Sequence, residues 1–191
     1  MKRYIRAAIL DILDEDEYFQ IEVAKDINSP IDYLIKLCTH MKNWEAYKQA
    51  KHTIKRLVNS PYRERIFEGD PELRDILALT CYDSELLTIL ADDPNYKVRW
   101  SVAGESDTPP EVLDKLSYDH HHQIRHAVAA NDAAPDYILA RLSNDEDNFV
   151  REGVAENPKT PYAVLLKLSK DEWPYVSNGA LANKNFQRGN V

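Results

Sequence analysis

The chain has 191 residues, of which 43% are hydrophobic and 29% are charged, and its formal net charge is −8. This mostly acidic balance disfavours a protein that wraps nucleic acid, because neutralising phosphates requires many cations on one face. The chain contains no run of about 18 apolar residues that could span a membrane, and its five glycines are too few for a sheet with many tight turns. The composition therefore predicts a helical protein.

Residues 1–37 are predicted to form an N-terminal cap and a diverged first repeat. The first residues resemble the start of a signal peptide, but Asp11 and Asp14 interrupt the apolar stretch and no small-residue cleavage site follows. We therefore expect a short first helix. After it, small and apolar residues keep the spacing of the later repeats: Val23, Ala24, Ser29, Pro30, Leu34 and Leu37.

Residues 38–76 do not follow the repeat, and we expect an irregular helical insert with a basic helix from about Asn43 to Val58. An apolar stripe runs along this helix, and cations occupy its other faces. Two interpretations stay open: a solvated basic face whose aromatic residues pack on adjacent repeats, or a docking site for an acidic partner or phosphate. The candidate partner-binding residues of the helix are Trp44, Lys48, Lys51, Lys55 and Arg56.

Residues 77–183 repeat regularly with a period of 26 residues. Each of three units carries an apolar-Arg pair, followed at fixed distances by Val-Ala, Pro, two Leu and Asp; the pairs are Val98-Arg99, Ile124-Arg125 and Val150-Arg151. Self-similarity at a period of this size predicts a stacked solenoid, here of about five to six short repeats. Residues 184–191 are expected to be a C-terminal tail, and residues 1–191 a single domain.

Each regular unit is predicted to hold two short helices. In the clearest unit, Asp93 is the expected N-cap of the first helix and Pro94 its first residue. The segment 104–107 breaks this helix, and Thr108-Pro109 starts the second one. Because such helices are too short to be stable alone, stability is expected to come from stacking between units.

An Arg recurs at one position of three successive units, and an Asp lies six residues before each Arg. We expect these groups to form columns in which each guanidinium bonds to a carboxylate or to helix carbonyls and stabilises the stack. The alternative is a basic stripe that binds an anionic ligand. The predicted structural ladder comprises Asp93, Arg99, Asp119, Arg125, Asp145 and Arg151.

Candidate functional residues lie where the period fails. Trp100, His126 and Glu152 occupy one variable column of the repeat, and we expect this column to contact a partner. Packing of Trp100 in the core or at its rim is the alternative. The run 120–122 consists of three histidines, with His126 one turn beyond it. Two histidines four residues apart can chelate a metal, but a zinc site needs more ligands, so a solvated turn is the favoured interpretation.

Neither a catalytic residue nor a metal or cofactor is expected. The chain lacks a Gly-rich phosphate loop, a nucleophile elbow and a metalloprotease motif. Cys38 and Cys81 lie far apart without metal-ligand spacing, which predicts unpaired thiols and a cytoplasmic location.

The segment from Phe149 to Pro161 (FVREGVAENPKTP), continuing to Leu165, Leu168 and Asp171, resembles the leucine-rich repeat variant family. The Asp-x5-Arg spacing is also similar to that of HEAT repeats. The resemblance covers residues 83–183 well, 14–37 less closely and 38–76 poorly. It implies units that pair an α-helix with a shorter, 3₁₀-like helix in a right-handed superhelix.

Two properties of related proteins are not implied here. One family member carries an iron–sulfur cluster on an added cysteine-rich segment, whereas this chain has two cysteines in all. HEAT-like alkylpurine glycosylases bind damaged DNA on a basic concave face, whereas the repeats of this chain are acidic.

These patterns predict a non-catalytic module that binds another protein, acting as a scaffold or as an inhibitor or immunity-type binder. We expect a monomer without a nucleic-acid or membrane partner. The alternative is a nucleic-acid-binding HEAT-like protein related to the alkylpurine DNA glycosylases.

Overall fold

The computed structural model describes residues 17–26, 28–39, 43–61, 63–80 and 83–189. Helices joined by turns make up this part of the chain, and no strand occurs in it, so the predicted all-α class is confirmed there. The predicted first helix before Glu17, and Cys81, lie outside the described residues. The chain divides into two compact units: unit 1 ends at Asp93, and unit 2 begins at Pro94. The expected single domain stays a prediction.

The helices of the two units are listed here in chain order. Unit 1 contains α1 (Glu17–Lys25), α2 (Ile31–Thr39), α3 (Trp44–Val58), a 3₁₀-helix (Arg63–Glu68), α4 (Pro71–Thr80) and α5 (Ser84–Leu90). Unit 2 contains α6 (Tyr96–Gly104), α7 (Pro110–Leu116), α8 (His122–Ala130), α9 (Asp136–Leu142), α10 (Asn148–Glu156), α11 (Tyr162–Leu168), α12 (Pro174–Ala182) and α13 (Lys184–Gly189).

In unit 1, the basic helix α3 packs against both α1 and α2. Its bounds agree with the predicted helix, and the side chain of Asn43 caps it by accepting a hydrogen bond from the main-chain N–H of Ala46 at 3.0 Å. The small and aliphatic residues of α3 face inward; they include Ala46, Ala50, Ile54 and Leu57. This burial leaves the cationic side of the helix at the surface.

In unit 2, the four nine-residue helices α6, α8, α10 and α12 pack side by side in chain order. The seven-residue helices α7, α9 and α11 lie between them in sequence and contact them. These short helices are α-helical; for example, Leu113 N–H donates to Pro109 O at 3.0 Å. They therefore differ from the 3₁₀-like geometry that the resemblance implied.

The predicted N-caps of unit 2 are wrong. Helix α6 begins at Tyr96, and its N-cap is Asn95 rather than Asp93. Helix α7 begins at Pro110 after Pro109, while the Thr108 hydroxyl donates to Val102 O at 2.5 Å. Asp and Thr are good caps in isolation, but here the Asp93 carboxylate pairs with Arg74, and the Thr108 hydroxyl bonds to the carbonyl of Val102.

Within unit 2, a column of asparagines connects successive repeats. The Asn157 amide donates to Ala129 O at 2.7 Å and to Asn131 O at 3.0 Å, and its side-chain oxygen accepts from Lys159 N–H at 2.8 Å. Asn183 bonds in the same way to Ala155 O and Asn157 O. These buried amides satisfy main-chain carbonyls at helix ends, which would otherwise lack partners.

The diverged first repeat predicted in unit 1 makes equivalent hydrogen bonds. The Ser29 hydroxyl donates to Val23 O at 2.8 Å, as Thr160 does to Val154 O at 2.6 Å. The carbonyl of Ala24 accepts from the Thr53 hydroxyl at 2.6 Å. A threonine of the irregular helix α3 therefore takes the part that asparagine plays in unit 2.

Candidate interaction surfaces

The Arg column of unit 2 is engaged in internal ion pairs, but with different carboxylates from those expected. Arg125 donates to Asp145 through Nε at 2.7 Å and through Nη2 at 2.8 Å. Arg151 forms the same two-point pair with Asp171. Arg99 pairs in this way with Asp119. The partner carboxylate thus lies twenty residues after each Arg.

For Arg125 and Arg151, the Asp six residues before the Arg contributes its main-chain carbonyl. Arg125 Nη1 donates to Asp119 O, and Arg151 Nη1 to Asp145 O, both at 2.9 Å. The Asp145 carboxylate also accepts from Asp147 N–H at 2.9 Å, which orders the turn before α10. Each middle Asp therefore contacts one Arg through its carboxylate and the next Arg through its carbonyl.

The charges of these pairs alter the acidity of their members. Burial by itself would raise the pKa of Asp145, but hydrogen bonds from Arg125 and from the Asp147 N–H outweigh it, so the pKa is lowered. For Asp119, burial would likewise raise the pKa, but hydrogen bonds from Arg99 and from the His121 N–H outweigh it, so the pKa is lowered. For Asp171 the hydrogen bond from Arg151 is the largest influence, and its pKa is also lowered. All three carboxylates are therefore charged at neutral pH.

The predicted ladder did not include Arg74 or Asp171, which form pairs of the same kind in unit 1 and unit 2 respectively. Arg74 and Asp93 form a buried pair in unit 1 with Nε–Oδ2 at 2.6 Å, and Arg74 also bonds to the Gly69 carbonyl. Its spacing of nineteen residues and its irregular sequence context conceal it. Asp171 could have been added to the ladder from the period, since it ends the third regular repeat as Asp119 ends the first.

The variable column Trp100, His126 and Glu152 occupies the fifth position of α6, α8 and α10, three helices that pack in this order. The Trp100 side chain is 49% exposed, whereas His126 and Glu152 are half-buried. His126 lies against α10, because a Cβ added at Gly153 would be 3.2 Å from its Cδ2 atom. The column therefore combines one exposed aromatic side chain with two partly covered polar ones.

Two further exposed aromatic residues lie at the second position of these long helices. Phe149 on α10 and Tyr175 on α12 are both exposed. The equivalent residues Lys97 and Gln123 are not aromatic, so the second position varies in the same way as the fifth. Because second and fifth positions are three residues apart, they share a helical face.

The basic helix α3 places its candidate residues on its exposed side. Trp44 is 61% exposed and stacks on Tyr47 at a centroid distance of 5.3 Å. Lys51 lies over the same Tyr47 ring, with Nζ 5.3 Å from the centroid. Lys48, Lys55 and Arg56 are exposed. The aromatic residues thus form a surface cluster with a cation over it.

Beside this cluster, unit 1 contains a pocket of about 160 Å³ between α3 and α5, which we call the α3–α5 pocket. Its floor consists of Ile54, Val58 and Leu86, and its rim includes Lys51, Lys55 and Asp83. Sequence reasoning could not find it, because α5 belongs to a separate segment whose placement beside α3 depends on packing.

The three histidines at 120–122 lie near residues of their own turn and of the neighbouring repeats. His120 Nδ1 is 3.4 Å from Asp119 Oδ1, and His122 Nδ1 is 3.7 Å from Asp147 Oδ2. The His121 ring lies 4.9 Å from that of Tyr96. Across the described parts of the chain, no three His, Cys, Asp or Glu side chains gather where they could hold a metal ion.

Within the described ranges, every helix is too short or too polar to cross a bilayer. Cys38 is buried in α2.

Comparison with known proteins gives little guidance. No protein-family model matches the chain, and no curated protein has a matching sequence. Among solved structures, the chain is similar to the crystal structure of an engineered protein from the Northeast Structural Genomics Consortium. The two are 18% identical over 95% of each chain, with a TM-score of 0.40.

Proposed function

We propose that this protein is a non-catalytic module that binds another protein, as a scaffold or as an inhibitor or immunity-type binder. We further propose that it is a cytoplasmic monomer built as a right-handed superhelical solenoid of leucine-rich repeat variant type. The binding face is formed by the second and fifth positions of the long helices in unit 2. Trp100 is its expected anchor, because buried aromatic residues dominate the energy of many interfaces.

The observation that supports this proposal is a division between repeated and variable positions. The repeated Arg, Asp and Asn side chains bond to the protein itself, as the pairs of Arg125 and the amide of Asn157 illustrate. The exposed aromatic residues Trp100, Phe149 and Tyr175 occupy variable positions of the same helices. Exposed aromatic side chains on a well-ordered framework are typical of protein interfaces.

The proposal is tested by capturing partners from a lysate of the native organism with the full chain and with two variants. Trp100→Ala is expected to weaken binding of the purified captured protein by roughly tenfold or more, since a hot-spot truncation costs about 2 kcal/mol. The matched control is Tyr137→Ala, which removes an exposed aromatic residue from the short helix α9. Equal binding by both variants would contradict the proposed face.

A further inference from the structure

The α3–α5 pocket has the dimensions of one large apolar side chain. Its volume is about 160 Å³, and its floor is formed by Ile54, Val58 and Leu86. A cavity of about 150 Å³ with aliphatic walls accepts a molecule as large as benzene. The pocket therefore fits a leucine or phenylalanine side chain, and it is too small for a folded element.

Basic residues line this pocket. Lys51, His52 and Lys55 line it, and the exposed Lys48 and Arg56 lie on the same helix. This concentration is unusual in a chain whose net charge is −8. An approaching acidic segment would be attracted to this helix and repelled by most of the remaining surface.

Among the described residues that line the pocket, Asp83 is the carboxylate, and its pairing with Lys55 is weak enough for Lys55 to change partner. Lys55 Nζ is 3.3 Å from Asp83 Oδ2, but the lysine side chain is 59% exposed, and such surface pairs are weak. Asp83 is held in place by a different task, since it caps α5 by accepting from the Glu85 and Leu86 N–H groups. Lys55 can therefore turn to an incoming carboxylate without uncapping α5.

We propose that the α3–α5 pocket binds an acidic linear segment of a partner protein, with one leucine- or phenylalanine-sized side chain in the pocket and flanking carboxylates on Lys51 and Lys55. This inference names a partner class and rests on the proposed protein-binding function. A nucleic acid is disfavoured as the occupant, because its affinity depends on many cations along an extended path, whereas the lysines at this pocket lie on the single helix α3.

The test uses the full chain and a short fluorescein-labelled peptide in which one phenylalanine lies between aspartates and glutamates. A second peptide has alanine in place of the phenylalanine. Fluorescence anisotropy is expected to show saturable binding of the first peptide and roughly tenfold or more weaker binding of the second. This comparison needs no protein variant.

The charge requirement is tested with Lys51→Glu/Lys55→Glu, which should weaken binding of the phenylalanine peptide by roughly tenfold or more. The milder Lys51→Gln/Lys55→Gln should weaken it in the same direction. The matched control, Lys25→Glu/Lys184→Glu, reverses two charges on exposed lysines of other helices and should bind as the parent does. Circular dichroism and thermal unfolding establish that each variant is folded.

Four results would overturn the inference: no binding of the phenylalanine peptide, equal binding of both peptides, no effect of charge reversal, or tighter binding of a labelled single-stranded oligonucleotide. Self-association of the chain that Lys51→Glu/Lys55→Glu abolishes would also overturn it, with a second copy as the occupant. If the peptide fails while a partner is captured through Trp100, this inference fails and the proposed function stands.

Discussion

At the scale of single residues, Arg125 accounts for the recurrence of the Arg and Asp columns. Its guanidinium binds both carboxylate oxygens of Asp145 and the carbonyl of Asp119, so one side chain joins two turns of the chain. Lysine could not reproduce this geometry, because an ammonium is a point charge without a planar fork. An internal role thus explains the column without an anionic ligand.

Arg125→Ala is expected to lower the free energy of unfolding by about 1–3 kcal/mol, because the mostly buried Asp145 carboxylate loses its charged partner. Urea denaturation followed by circular dichroism measures the change. Arg188→Ala, at an exposed Arg of α13, is the control and should have little effect. Unchanged stability together with lost binding of an anion would favour the basic-stripe interpretation.

The same pairs predict how stability depends on pH. The pKa values of Asp119, Asp145 and Asp171 are below their usual 3.8, so the unfolded chain binds more protons than the folded one as pH falls. Their contribution should be complete above about pH 4 and disappear as pH falls through the lowered pKa values. Urea titrations between about pH 6 and pH 2 measure it.

In that series, the difference in unfolding free energy between the parent and Arg125→Ala should be largest above about pH 4 and should narrow on acidification, as Asp145 becomes protonated. A difference that stays constant down to about pH 2 would show that the pair does not act through the charge of the carboxylate.

At the scale of elements, the side-by-side packing of the long helices depends on small residues at their sixth position. These are Ser101, Ala127, Gly153 and Gly179. At Gly153 an added Cβ would be 3.2 Å from the Cβ of Ala129, which is tighter than an ordinary contact. The approach of α8 and α10 therefore requires a residue with little or no side chain at this point.

Gly153→Val is expected to destabilise the protein by about 1–3 kcal/mol, because overpacking would force α8 and α10 apart. The control is Gly104→Ala at the end of α6, where an added Cβ meets nothing within 4 Å. Alanine should be neutral or stabilising there by up to about 1 kcal/mol, since it restricts the unfolded chain. Thermal unfolding of both variants measures the contrast, and equal effects would contradict the close approach.

At the scale of the whole molecule, the proposed repeat architecture predicts which deletions are tolerated. Removing residues 120–145 deletes one full period and joins Asp119 to Glu146, so that Asp119 O can replace Asp145 O as the acceptor for Arg151. We expect this variant to retain its helical circular dichroism per residue and to unfold cooperatively.

Deleting residues 120–132, half a period, is the matched control. It removes all of α8 and places the rest of unit 2 out of register, so the Val and Leu stripes no longer meet. This variant should lose cooperative unfolding. If both deletions behave alike, the period does not govern the packing of unit 2.

The sequence alone was sufficient to predict the helical class, the basic helix from about Asn43 to Val58 and the positions of the Arg and Asp columns. These features follow from local composition and from a period that can be counted along the chain. It also distinguished repeated from variable positions, and so indicated Trp100 before any contact was known.

Which of these groups meet in space depends on the tertiary structure. Each Arg binds the carboxylate twenty residues onward rather than the one six residues before it, because the later turn lies beside it in space. The hydrogen bond from the Thr53 hydroxyl to the carbonyl of Ala24 also joins residues far apart in the chain. The α3–α5 pocket likewise forms only because two separate helices pack together. Spacing along a chain specifies neighbours within one helix, whereas contacts between helices depend on how their buried faces pack.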